Sequence, residues 1–164
     1  MPIRYMDLKK SSTSFNRLYH IRRRHHKFIF EIESATGILS ESMSKYETDG
    51  KIIPAKVAAK IHGFFPDYPI WFISGADHLP ETTFNEKMFK AICYHGHDFG
   101  DLADFLGISR STLHDYRRPK NKFPAKHMQR LKKYMKILET TREWNDDLAH
   151  LDKEEECVTN LIRA

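Results

Sequence analysis

The sequence predicts an all-α chain built around a duplicated unit, and three observations predict it. The first is a repeat at a fixed offset of seventy residues: Gly37 to Lys56, GILSESMSKYETDGKIIPAK, overlays Gly107 to Lys126, GISRSTLHDYRRPKNKFPAK, without a gap. Gly37/Gly107, Ile38/Ile108, Tyr46/Tyr116, Pro54/Pro124, Ala55/Ala125 and Lys56/Lys126 are identical, and the match runs upstream through Leu18/Met88, His25/His95, Glu31/Asp101 and Ile32/Leu102. A constant offset over so many positions marks an internal repeat, with a unit of about fifty residues at roughly 15–65 and 85–135. The second observation is helical spacing of apolar residues, stopped by glycines where a helix ends in left-handed backbone. The third is the C-terminal series Trp144, Leu148, Leu151, Val158 and Ile162, whose four-three spacing, interrupted by Glu155, draws an amphipathic helix.

In chain order, residues 1–14 read as a flexible N-terminal arm; Arg4, Lys9 and Lys10 also suit a groove or phosphates. The first domain is expected over 15–78, starting with a helix from Phe15 to His26. That helix ends in Arg22-Arg23-Arg24-His25-His26, a cationic run that either grips phosphates or offsets the helix dipole. Phe28-Ile29-Phe30 opens the second helix, where a polar cap is usual. Two readings of Phe28 and Phe30 stand: a protein contact, or burial against the second copy, which is preferred. Glu33 takes the place that Ala103 fills seventy residues on, and a buried carboxylate there needs a partner. The third helix turns Ser40, Glu41, Ser44 and Lys45 outward. Pro54 to Phe65 gives the next helix, with Val57, Ala58 and Ile61 on one face, and Trp71 and Phe72 belong to the core. Gly75 to Asn85 is punctuated by Pro80 and polar residues, and a linker is placed at 79–86.

The second domain is expected over 87–138. Asn85 suits the cap of its first helix, and Asp98 the cap of the second. Leu102, Ala103, Phe105 and Leu106 lie at helical spacing before Gly107. Ser109 then caps a short helix, Arg110 to Arg117, with Leu113 and Tyr116 inward and Arg110, Ser111, His114 and Asp115 outward. Two short helices meeting at a small residue and a glycine are the mark of a helix-turn-helix. Lys126 to Leu138 continues as a helix with Leu131, Tyr134, Met135 and Leu138 on its apolar face. Residues 139–164 form the acidic C-terminal helix. Its seam, Trp144, Leu148 and Leu151, serves homodimerisation or folds back on its own domain.

Both units resemble the Cro/phage-repressor type (XRE-like, lambda-repressor-like) helix-turn-helix domain. LADFLGISRSTLHDYRR carries the resemblance in the second copy; TGILSESMSKYETDGKIIP and IWFISG, Ile70 to Gly75, carry it in the first. The resemblance implies two tandem compact helical bundles, with Leu18, Ile21 and Arg22 facing inward. It also implies a pair between Arg22 and Glu47, whose counterparts in the second copy are Ile92 and Arg117. It places Ser40, Glu41 and Lys45 of the first copy against base edges. In the second copy Arg110 is suited to guanine, with Ser111 and Asp115 on the same face and His114 at its edge. Thr112, Arg117, Arg118, Lys120 and Lys122 are expected to meet phosphates.

Charge agrees with a polyanionic partner. The net charge is +5, but residues 88–138 carry 11 basic and four acidic side chains, whereas 139–164 carry three and eight. Ten of those 11 basic side chains fall from Arg110 to Lys136, within and after the short helix. The expected partner is double-stranded DNA, bound by a homodimer, and the expected function is that of a bacterial or phage-type transcriptional regulator. The alternative is an antitoxin or protein-binding adaptor, contacting a protein through the first copy or the C-terminal helix. Two cysteines, Cys93 and Cys157, give no disulfide framework. No apolar leader core and no run of eighteen apolar residues occurs, so a cytoplasmic, nucleoid-associated chain off the membrane is expected. Cys93-x-His95-x-His97 lacks the spacing of a four-ligand site, so no metal is expected. No nucleophile–base pair or phosphate-binding glycine loop stands out, so neither a cofactor nor an enzyme activity is expected.

Overall fold

The structure is a computed structural model that describes residues 14–48, 51–118 and 122–144. Among the described residues there are helices, two short 3-10 turns and loops, and no strand. The fold is all-α. The helices are α1 (Ser14–Arg24), α2 (Ile29–Thr36), α3 (Ser40–Thr48), α4 (Ala55–Phe64), α5 (Ile70–Ser74), α6 (Phe84–His95), α7 (Phe99–Leu106), α8 (Arg110–Tyr116) and α9 (Ala125–Met135). The N-terminal arm up to residue 13, Lys120, Leu148 and Leu151 lie outside the described residues. No helix among the described residues is long and apolar enough to cross a membrane.

The chain divides into two compact units, Met1–Ile52 with Glu139–Ala164, and Ile53–Leu138. The expected first domain, 15–78, is thereby shared between them, and the expected linker, 79–86, lies inside the second unit.

In the first unit α1 and α2 both pack on α3. Leu18, Ile21, Ile32, Ile38 and Met43 are buried. Arg22 and Glu47 form the pair implied by the resemblance: Arg22 Nε and Nη2 donate to Glu47 Oε1 and Oε2 at 2.6 and 3.2 Å. Arg22 Nη1 also donates to the Lys27 carbonyl at 3.2 Å. A forked guanidinium–carboxylate contact of this kind is strong because both groups are charged and both forks are used. The α2 start has no polar side-chain cap at Phe28; instead the Glu31 carboxylate accepts from the Phe28 amide at 2.7 Å. Glu33 finds its partner at the first residue of α3, where the Ser40 hydroxyl donates to its carboxylate.

Phe28 and Phe30 are not covered by their own unit. Each is 63% exposed, so neither is buried. The two rings stack on each other at 5.6 Å and 9°. Phe28 is the residue before α2, and Phe30 lies in its first turn.

In the second unit α4 and α5 pack on α6, α7 on α8, and α9 on α6 and α7. The α4–α5 pair is driven onto α6 by large apolar side chains: Ala58, Ile61, Trp71, Phe72 and Ile73 are buried, and Trp71 stacks on Tyr94 at 5.3 Å. Gly96 ends α6 with φ +71°, and a Cβ there would lie 2.9 Å from Ala59 Cβ. Met88, Ala91, Ile92, Leu102, Ala103, Leu106, Leu113, Leu131 and Tyr134 form the core between α6, α7, α8 and α9. His95 Nε2 bonds the Tyr134 carbonyl at 2.9 Å and His97 Nδ1 the Tyr134 hydroxyl at 3.0 Å, so these histidines brace α9. Desolvation, reinforced by His97 and opposed by the Tyr134 carbonyl, lowers the His95 pKa. Burial pushes the Cys93 thiol up to about 11.

Two further expectations are corrected. Thr83, not Asn85, caps α6: its hydroxyl accepts from the Glu86 amide at 3.2 Å, while Asn85 Nδ2 donates to the Arg117 carbonyl at 2.9 Å. The helix expected to reach Leu138 stops at Met135 and passes into a 3-10 turn, Lys136–Glu139.

Candidate nucleic-acid interface

The candidate site is built on α7, a three-residue turn, and α8. Asp98 caps α7 reciprocally: its Oδ1 accepts from the Asp101 amide and its own amide donates to Asp101 Oδ2, both at 2.9 Å. Gly107 then turns the chain with φ +71°. Ser109 caps α8 by accepting from the Thr112 amide at 3.1 Å. Capping and glycine chemistry thus fix both ends of the turn, which sets the direction in which α8 leaves it.

α8 buries Leu113 and leaves Arg110, Ser111, His114 and Asp115 exposed, which is the face that the spacing assigns outward. Tyr116 is half-buried, its ring 5.2 Å from Phe123 and 6.0 Å from His127. The Thr112 hydroxyl, expected at a phosphate, pairs with the Ser109 hydroxyl at 2.8 Å. Arg118 and Lys122 are exposed, and Arg118 Nε lies 3.9 Å from Asp115 Oδ1. Arg117 is placed differently from these: it is half-buried, and its guanidinium lies over the Phe99 ring at 4.0 Å. Its Nε is buried without a hydrogen-bond partner. A cation held on an aromatic face is stabilised by the ring quadrupole and loses freedom to follow a phosphate.

A groove of about 330 Å³ runs between the first turn of α7 and α8, lined by Asp98, Phe99, Gly100, Arg110, His114 and Arg117 as well as Leu113. Lys56, on α4, reaches the carboxylates at the start of α7. Its Nζ lies 3.1 Å from Asp98 Oδ2 and 3.4 Å from Asp101 Oδ2. The amide of Asp101, then Lys56, hold the Asp98 carboxyl down at about 2. The carboxylates correspondingly raise the Lys56 pKa. Neither Lys56 nor Gly100 was singled out as part of the site by sequence reasoning. The repeat held one usable signal, because residue 100 is glycine where its counterpart, residue 30, is phenylalanine.

The corresponding helix of the first copy, α3, is chemically different. Ser40 is half-buried with its hydroxyl given to Glu33. Glu41 and Lys45 are exposed but lie 3.7 Å apart, one turn along the helix, as an ion pair. Two of its three candidate readers therefore neutralise each other, and the third serves a neighbouring carboxylate. Of the candidate dimerisation residues, Trp144 is described and is half-buried.

No protein-family model, curated protein or solved structure matches the chain.

Proposed function

We propose that the protein is a sequence-specific DNA-binding transcriptional regulator of the bacterial or phage type, acting in the cytoplasm on the nucleoid. In this reading it reads the major groove mainly through α8. One observation carries the proposal: a short helix, fixed at its start by Gly107 and Ser109, buries Leu113 and presents Arg110, Ser111, His114 and Asp115 together, with Arg118 and Lys122 exposed nearby. Arginine suits guanine O6 and N7 through two parallel bonds, and flanking cations fix the register by phosphate contact. The protein binds as a homodimer, since two-fold operators match two-fold proteins.

The test is selection of bound sites from random duplexes by the full chain, followed by affinity measurements across salt. A defined site and a steep loss of affinity with salt are expected. Arg110→Ala should cost about 1–3 kcal/mol on the selected site and relax one base position. Arg118→Ala should weaken all duplexes alike and reduce the salt slope by about one. Absence of any selected site, with a flat salt response, overturns the proposal.

A second reading has a specific observation in its favour. The exposed Phe28–Phe30 stack on the first copy favours a protein-binding adaptor or antitoxin role for that copy. Phe28→Ser with Phe30→Ser should leave the selected DNA site unchanged if that copy serves a protein.

A further inference from the structure

The geometry points to Asp98 and Gly100 as positioning residues that hold the Arg110 guanidinium in one place, so that they set sequence specificity without reaching a base. This rests on the reading of α8 as the DNA-reading helix. Three observations carry it.

Arg110 is exposed, its side chain retaining 75% of its accessible surface, yet its end group does not project freely. It lies across the first turn of α7, over the backbone of Gly100. A Cβ at that position would come within 2.8 Å of Arg110 Cζ and closer still to Nε and Nη2. Only a residue without a side chain leaves that seat open. Arg110 Nη2 is also 3.9 Å from Asp98 Oδ2. That carboxylate is itself immobilised, by the reciprocal cap with Asp101 and by Lys56. The seat therefore has a fixed floor and a fixed counter-charge.

The first copy shows that this seat is not a general property of the repeat. The counterparts of Asp98, Gly100 and Arg110 are Phe28, Phe30 and Ser40. There the floor is a phenylalanine, the counter-charge is absent, and the hydroxyl turns to Glu33.

A long surface arginine carries large rotamer entropy, which is lost when it binds. Restricting it beforehand lowers that loss for the one geometry that fits and for no other. The carboxylate also repels phosphates, so it weakens binding to every duplex alike. The device exchanges general affinity for discrimination.

The test uses the full chain, the duplex selected by the wild-type protein and a scrambled duplex. Asp98→Asn keeps a capping side chain, because asparagine caps as well as aspartate. It should raise affinity for the scrambled duplex and lower the specific-to-scrambled ratio by roughly 2- to 12-fold, the range for the lost restriction of one long side chain. Gly100→Ala should lower the same ratio while raising the melting temperature, since alanine is the better helix residue. Nitrogen relaxation of the Arg110 Nε–H should show restricted motion in the wild type and faster motion in both variants. An unchanged ratio in both variants, or equal Arg110 mobility in all three proteins, overturns the inference. If the wild type selects no site, the DNA reading fails, and the relaxation comparison still decides whether the seat holds Arg110.

Discussion

Removing Glu47 should destabilise the first unit far more than removing a surface carboxylate. Both oxygens of Glu47 accept from Arg22, at 2.6 and 3.2 Å, and the two side chains are 7% and 13% exposed. Glu47→Ala leaves a guanidinium in that position with the Lys27 carbonyl and the Tyr19 ring, 5.5 Å away, but without its carboxylate. Breaking a buried pair from one side costs about 3–5 kcal/mol, because the surviving charge has lost its counter-ion but not regained water. At the residual exposure here the lower end, about 3 kcal/mol, is expected for Glu47→Ala and for Arg22→Ala alike. The double variant should then cost at least about 2 kcal/mol less than the sum of the singles. Arg22→Met with Glu47→Leu should recover most of the loss, since an apolar replacement of a buried pair is often neutral. The chain has two compact units, so a single global unfolding free energy is not well defined. Amide hydrogen exchange resolved over α1 and α3 is the appropriate assay. Singles that cost under about 1 kcal/mol and simply add would refute the reasoning, because that is the behaviour of a solvated surface pair.

Two other predictions concern the second unit. Gly96 and Gly107 share φ +71°, but a Cβ at Gly96 meets Ala59 at 2.9 Å and Ile70 at 3.2 Å, whereas one at Gly107 meets nothing within 4 Å. Gly107→Ala should therefore cost only the left-handed strain, about 1–2 kcal/mol, and Gly96→Ala about 1–3 kcal/mol more; equal losses in amide hydrogen exchange over the second unit would refute the close packing of α4 and α5 on α6. The His95 pKa is lowered, chiefly by burial, so the unfolded chain takes that proton first. Stability from this group is complete above the unfolded value near 6.5 and is lost as pH falls through the lower folded value, so the amide-exchange stability of the second unit should decline as pH drops below about 6.5, and His95→Asn should flatten that decline.

Local rules made much of the fold legible. Gly107, Ser109 and Asp98 mark helix ends through backbone conformation and capping, which depend on residues within one turn. Leu113 and the outward face of α8 follow from spacing alone. The Arg22–Glu47 pair was reached through the resemblance, since no local rule relates residues twenty-five apart. Thr83-x-x-Glu86 is a capping pattern, but Asn85, two residues on, is an equally good cap by residue type, and local rules do not choose between them. The association of α4 and α5 with α6 was not legible, because apolar faces on every helix permit several pairings. The Arg110 seat was hidden for a related reason. Residues 100 and 110 belong to different helices, and only the turn geometry between them brings the guanidinium over Gly100.

The repeat separates what the chain keeps from what it varies. Leu18/Met88, Ile32/Leu102 and Met43/Leu113 are all at most 1% exposed, so equivalent positions are buried in both copies. Gly37 and Gly107 both end a helix in left-handed backbone, at φ +77° and +71°. Divergence is concentrated elsewhere. Inside, Arg22 and Glu47 become Ile92 and Arg117, and the guanidinium moves from a carboxylate to the Phe99 ring. Outside, Phe28, Phe30 and Ser40 become Asp98, Gly100 and Arg110. These two sets are physically linked. The Arg117 guanidinium lies on the Phe99 ring, and that ring lines the groove together with Arg110. In the first copy the internal ion pair satisfies Arg22, and phenylalanines at 28 and 30 occupy the places of the Asp98 counter-charge and the Gly100 floor. The same positions thus carry an exposed aromatic pair in one copy and a seat for a cation in the other.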